Sequence, residues 1–151
     1  MTVREGSVVI DATPQQVYDY VSNPVRHPEW GAHDTRVTPA PGVTGSTPGA
    51  VYHTHANVLG GIPGEMRVVA AEPVSRFVVQ TRDKSGTFEF AFLLSPEAGG
   101  TRLTYRMTPL RVNPVLNLLV NVFFWPLVGK PSFLQTLANL KTKTEAAARA
   151  G

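Results

Sequence analysis

No cysteine occurs anywhere in this chain, which excludes disulfides, thiolate metal sites, redox-active pairs and a cysteine nucleophile. Gly-x-Ser-x-Gly, a phosphate loop ending in Gly-Lys-Ser/Thr, His-Glu-x-x-His and Gly-x-Gly-x-x-Gly are missing as well. Serine hydrolases, nucleotide-binding folds and zinc proteases thereby lose their usual signatures. The opening Met1–Gly6 lacks the positive-then-apolar layout of a signal peptide and runs straight into a strand pattern, so a cytoplasmic location is expected. Acidic residues are scarce at the C-terminus: residues 112–151 carry Lys130, Lys141, Lys143 and Arg149 against Glu145 alone, and the net charge of +3 originates there. A modest excess without basic residues interleaved with aromatics does not point to nucleic acid.

A length of 151 residues with 42% hydrophobic and 17% charged residues suits one folded domain spanning 1–151. Val8-Val9-Ile10 ends an opening strand. Thr13-Pro14-Gln15-Gln16 then supplies an N-cap, a proline at the first helical position and a glutamine that completes a capping box. Val17, Tyr20 and Val21 give that helix its apolar face, and Asn23-Pro24 ends it and starts a second short helix reaching Trp30. From Thr35 to Thr108 short alternating runs divided by Gly and Pro clusters read as about six antiparallel strands. Phe88, Phe90, Phe92 and Leu94 share one face of their strand, and Leu103, Tyr105 and Met107 share one face of the next. Met66, Val68, Phe77 and Val79 add to the same apolar side, while Arg67, Arg76, Arg82, Arg102 and Arg106 fall on the other.

That apolar face needs a cover. Ser132-Phe133-Leu134-Gln135 repeats the capping-box pattern, and Phe133, Leu137, Leu140, Thr144 and Ala147 follow at helical spacing, predicting a final helix of about 18 residues. Before it, residues 114–128 are nearly all apolar; a helix from the Asn113-Pro114 cap to a stop at Pro126 runs about 12 residues, too short to cross a bilayer. Asn113, Asn117 and Asn121 form an amide stripe on this apolar cylinder. The plain expectation is a helix packed on the domain with its stripe in water. The sharper ones are a mobile lid, a dimer surface or a segment dipping into a membrane face.

Taken in order, Val8 to Pro24 running on to Trp30, the strand pair from Gly64 through Glu72-Pro73 to Arg76-Phe77, and Leu137 to Glu145 resemble the START-like helix-grip superfamily (SRPBCC). The likeness is to its bacterial polyketide cyclase/dehydrase and lipid-transport group. The resemblance implies an α+β helix-grip fold: a curved antiparallel sheet of about seven strands wrapped round a long C-terminal helix, enclosing an apolar cavity. It brings no universal catalytic residue and no cofactor, and the apolar 114–128 segment departs from the usual pattern near the cavity entrance.

The leading expectation is a binder of a hydrophobic small molecule such as a lipid, isoprenoid or polyketide. Its wall is expected from Trp30, Met66, Phe77, Phe88, Phe90, Phe92, Tyr105, Met107, Phe133 and Leu137. A cavity under roughly 300 Å³ would leave such a ligand no room. An aromatase/cyclase or dehydratase is the alternative, using His53, His55, Tyr52 or Tyr105 as acid or base. Tyr52 and His53 are adjacent in a strand, so only one of them faces the cavity. His53 and His55 share a face, but a metal would need a third ligand from His27, His33 or Glu65, and no metal site is assigned. A third reading is an accessory protein that meets a membrane or a partner through 114–128.

Overall fold

The computed structural model describes residues 2–31, 34–57 and 60–151. In β1 (Arg4–Ile10) the inward positions are Arg4, Gly6, Val8 and Ile10, while Glu5, Ser7 and Val9 stay exposed, as the period of two of a pleated strand requires. The capping box forms as expected at α1 (Pro14–Val21): Gln16 N–H donates to Thr13 Oγ1 at 3.2 Å and Thr13 N–H donates to Gln16 Oε1 at 3.0 Å. A 3-10 helix, Pro24–Glu29, follows.

The six strands read between Thr35 and Thr108 are β2 (Thr35–Pro39), β3 (Val51–Ala56), β4 (Ile62–Glu72), β5 (Arg76–Asp83), β6 (Gly86–Glu97) and β7 (Gly100–Arg111). They form an antiparallel meander closed by β1 beside β7, in the order β1-β7-β6-β5-β4-β3-β2. Irregularities at Val68/Ala70 and Thr87/Phe88 fall where the sheet must bend. Phe77, Phe92, Ile10, Leu103 and Leu140 are fully buried between sheet and C-terminal helix. On the outer face Arg67 pairs with Glu65, Arg76 with Glu72, Arg102 with Glu97 and Arg106 with Glu5. Such exposed pairs add little stability each.

The turn into β7 is held at one tight point. A Cβ on Gly100 would stand 2.1 Å from the Ile10 carbonyl oxygen, a backbone atom that cannot swing aside. Gly100→Ala is therefore expected to cost about 2 kcal/mol, read as a lower denaturant midpoint. Gly45→Ala, where a Cβ meets nothing within 4 Å, should stay within about 0.5 kcal/mol of wild type.

The C-terminal third departs from the expected two helices. Pro126 does not stop the chain and Ser132 does not cap a new helix. Instead α2 (Pro114–Leu119), a π-helix (Val120–Gly129) and α3 (Lys130–Ala150) form one continuous helical run. Proline lacks an N–H and its ring collides with the carbonyl four residues back. Widening to an i→i−5 pattern, as in Lys130 N–H donating to the Trp125 carbonyl, accommodates both defects. Ser132 is already inside the helix, and its carbonyl accepts the Thr136 hydroxyl at 3.0 Å. Asn113 does cap the run, accepting from Val115 N–H at 2.9 Å and Leu116 N–H at 3.2 Å. Among the described residues no helix is long and apolar enough to cross a membrane.

Candidate functional site

A cavity of about 580 Å³ lies between the inward faces of β1, β6 and β7 and the helical run from Leu116 to Thr136. Its sheet side carries Phe88 and Phe90 from β6 and Tyr105 and Met107 from β7, all set inward by strand alternation. Trp30 closes one end, and Leu116, Val120 and Phe124 form the helical roof, with Phe133 farther along.

Of the residues expected at the wall, Trp30, Phe88, Phe90, Tyr105, Met107 and Phe133 therefore meet at this cavity. Met66, Phe77, Phe92 and Leu137 do not line it and are buried in the adjoining core. The reason is local. Residues of α1 and the 3-10 helix fill the far half of the sheet: Tyr18 and His27 each make an edge-on contact with Phe77, and Trp30 makes one with Phe92. Leu137 is taken up against Gly6, where the missing side chain lets α3 approach β1 closely. The open space is left at the 114–128 end.

The proposed acid–base residues separate. Tyr52 faces inward, is buried, and donates its hydroxyl to the Gly45 carbonyl; it does not reach the cavity. His53 and His55 consequently point to the exposed outer face. His27 is buried with Nε2 2.8 Å from the Val21 carbonyl oxygen, Glu65 pairs with Arg67, and His33 lies outside the described residues. Among the described residues no three His, Asp or Glu side chains are grouped to hold a metal.

Tyr105 alone of the four lines the cavity. Its ring is stacked between Phe90, at 6.0 Å, and Phe133, at 5.4 Å between centroids. Burial pushes its hydroxyl pKa up, so the group is a proton-bearing hydrogen-bond donor at neutral pH and a poor base. Trp30, 5% exposed, carries a buried indole N–H with no hydrogen-bond partner among the described residues. An apolar cavity thus has Tyr105 as a donor-bearing residue in its wall.

Sequence reasoning missed Arg4, Asn117 and Asn121, which also line the cavity. The Arg4 guanidinium lies 3.9 Å over the Trp125 ring and donates to Asn121 Oδ1. Asn121 Nδ2 in turn donates to the Asn117 carbonyl at 2.8 Å. Two signals were present: counting back by twos from Ile10 places Arg4 inward, and Asn117 and Asn121 share a helix face. That face, expected in water, is turned inward to Arg4 and the cavity, and the apolar side faces out instead. Val115, Leu118, Phe123 and Leu127 are 69%, 62%, 63% and 77% exposed.

The family model for polyketide cyclase/dehydrase and lipid transport matches residues 1–145. An uncharacterized protein of Mycobacterium tuberculosis is 27% identical over 148 residues, covering 93% of this chain and 83% of that protein. Among solved structures, TTHA0849 from Thermus thermophilus superposes with a TM-score of 0.72 at 16% identity, covering 97% of this chain and 99% of that one. StfQ, a di-domain aromatase/cyclase of the steffimycin biosynthetic pathway, gives 0.70 at 15% identity over 97% of this chain and 51% of that one. These two similarities concern the fold.

Proposed function

The chain belongs to the polyketide cyclase/dehydrase and lipid transport family, and from that premise we propose that it binds a hydrophobic small molecule, a lipid, isoprenoid or polyketide, in the cavity beneath the 114–128 segment. One observation carries this reading: a space of about 580 Å³ walled by Trp30, Phe88, Phe90, Met107 and Phe124, within the range of small-molecule sites. Native mass spectrometry of freshly purified protein is expected to find an adduct of a few hundred daltons that organic solvent removes. Protein that stays at its bare mass and takes up no apolar ligand would remove the proposal.

Acid–base cyclisation or dehydration remains the enzymatic reading, and it now depends on Tyr105, whose protonated hydroxyl suits a hydrogen-bond donor or general acid. Tyr105→Phe separates the two roles. For a carrier, ligand affinity should change by less than about tenfold, the worth of one hydrogen bond. For an enzyme, turnover of a polyketide-like substrate should fall about a hundredfold or more with little change in binding.

The outward apolar face of 114–128 favours a second role, contact with an anionic bilayer. Leu116 and Phe124 belong both to the exposed face and to the cavity lining, so a bilayer met there would adjoin the cavity mouth. Exposed Arg111 and Lys130 flank the segment, and no acidic residue occurs from Ala98 to Thr144. Apolar surface bordered by cations is the pattern of interfacial helices.

A further inference from the structure

Arg4 differs from the strand arginines that pair with carboxylates on the outer face. Arg67, Arg76, Arg102 and Arg106 sit on the outer face, each beside a glutamate. Arg4 points inward, and among the described residues it is the one charged side chain in the cavity wall and has no carboxylate partner. Partial burial lowers its pKa from the ordinary guanidinium value, yet a guanidinium stays charged at any physiological pH. A guanidinium partly withdrawn from water beside an apolar wall favours an anionic partner over a neutral one.

The local geometry leaves Arg4 ready for such a partner. Trp125 supports the guanidinium at 3.9 Å, a contact that favours the cation. Of the five N–H donors such a group carries, one goes to Asn121 Oδ1. Asn121 is itself oriented by its bond to the Asn117 carbonyl, so its oxygen is turned to Arg4 and the fork is held in place. The remaining donors form the planar edge that binds a carboxylate with two parallel hydrogen bonds. Phe88, Phe90, Met107 and Phe124 continue the same cavity as apolar surface.

We propose that the ligand is an amphiphilic anion, an apolar chain or ring system ending in a carboxylate, with its charged end on Arg4 and its apolar body along Phe88, Phe90 and Met107. This rests on the reading of the cavity as a ligand site and adds the chemical class of the ligand. Neutral isoprenoids and sterols become the weaker candidates.

The probes are laurate and lauryl alcohol, which share a chain and differ in the head, titrated into the full-length protein by calorimetry below their aggregation concentrations. Wild type is expected to bind laurate at least about tenfold more tightly than the alcohol, the difference a charge-assisted hydrogen bond makes. Arg4→Gln should abolish that preference and leave the affinity for the alcohol within about threefold. Raised salt should weaken laurate alone. Equal binding of both probes by wild type, a comparison that needs no variant, would overturn the assignment of Arg4 while the cavity reading stands. A preference for laurate that persists in Arg4→Gln would likewise remove Arg4 as the anchor. Binding of neither probe would overturn the cavity reading and this inference with it.

Discussion

Acidification from neutral pH to about pH 4 is expected to remove roughly 3 kcal/mol of folding stability through His27 alone. The ring is buried, with centroids 4.9 Å from Trp30, 5.5 Å from Phe92 and 6.3 Å from Phe77. Loss of hydration pulls its pKa down from 6.5 to about 4, outweighing the Val21 carbonyl, which works in the opposite direction. The Val21 carbonyl can only accept, so Nε2 carries the proton of the neutral ring. Above pH 6.5 both folded and unfolded chains hold His27 neutral and the full contribution is present. Below it the unfolded chain takes a proton that the folded one refuses, and stability falls until the folded pKa near 4 is passed. Denaturant midpoints measured across this range should show the loss in wild type. In His27→Gln the curve should be flatter by that amount, although the variant starts from a lower plateau. Parallel curves for the two proteins would place the acid sensitivity elsewhere.

That histidine also shows where the sequence could be read and where it could not. The capping box at Thr13, the six strands after Thr35 and the inward rows of β6 and β7 were legible because each depends on neighbours a few residues apart. The parity argument for Tyr52 against His53 and His55 was likewise decidable in form, and the burial of Tyr52 resolved it. What escaped depends on residues distant in the chain. His27 reads only as a candidate third metal ligand on a short helix until Phe77 and Phe92 pack against it. Phe92 and Leu137 look like cavity wall until Trp30 and Gly6 occupy them. Arg4 lies 117 positions from Asn121, so neither the inward cation nor the inward amide stripe could be recognised without the other. Pro126 is a different, local case: proline reads as a stop to an α-helix, whereas the chain here widens into a π-helix and runs on, with Trp125 lying against Gly129.

Replacing Leu118 and Leu127 together by aspartate is expected to abolish flotation with phosphatidylglycerol-containing vesicles. Both side chains stand on the outward face of the helical run, 62% and 77% exposed, so neither contributes much to the folded state in water and the melting transition should move little. At a bilayer interface each would bury most of its apolar surface, worth about 1.5–3 kcal/mol apiece. Their joint loss then lowers partitioning by roughly two to four orders of magnitude, before any repulsion between aspartate and anionic lipid is counted. Arg111→Gln with Lys130→Gln should act differently, reducing preference for anionic over zwitterionic vesicles by about 1 kcal/mol per charge while leaving the apolar contribution intact. Failure of wild type to float with anionic vesicles would sink the membrane role outright, and undiminished flotation of the aspartate variant would place the contact on another surface. Should the wild type prove dimeric in sedimentation and the aspartate variant monomeric, with neither floating, the face belongs to a second copy of the chain. The distinction bears on the cavity as well. Leu116 and Phe124 line the cavity and are also exposed, so a bilayer or second copy bound on the outward face would adjoin the mouth of the cavity that Arg4 lines.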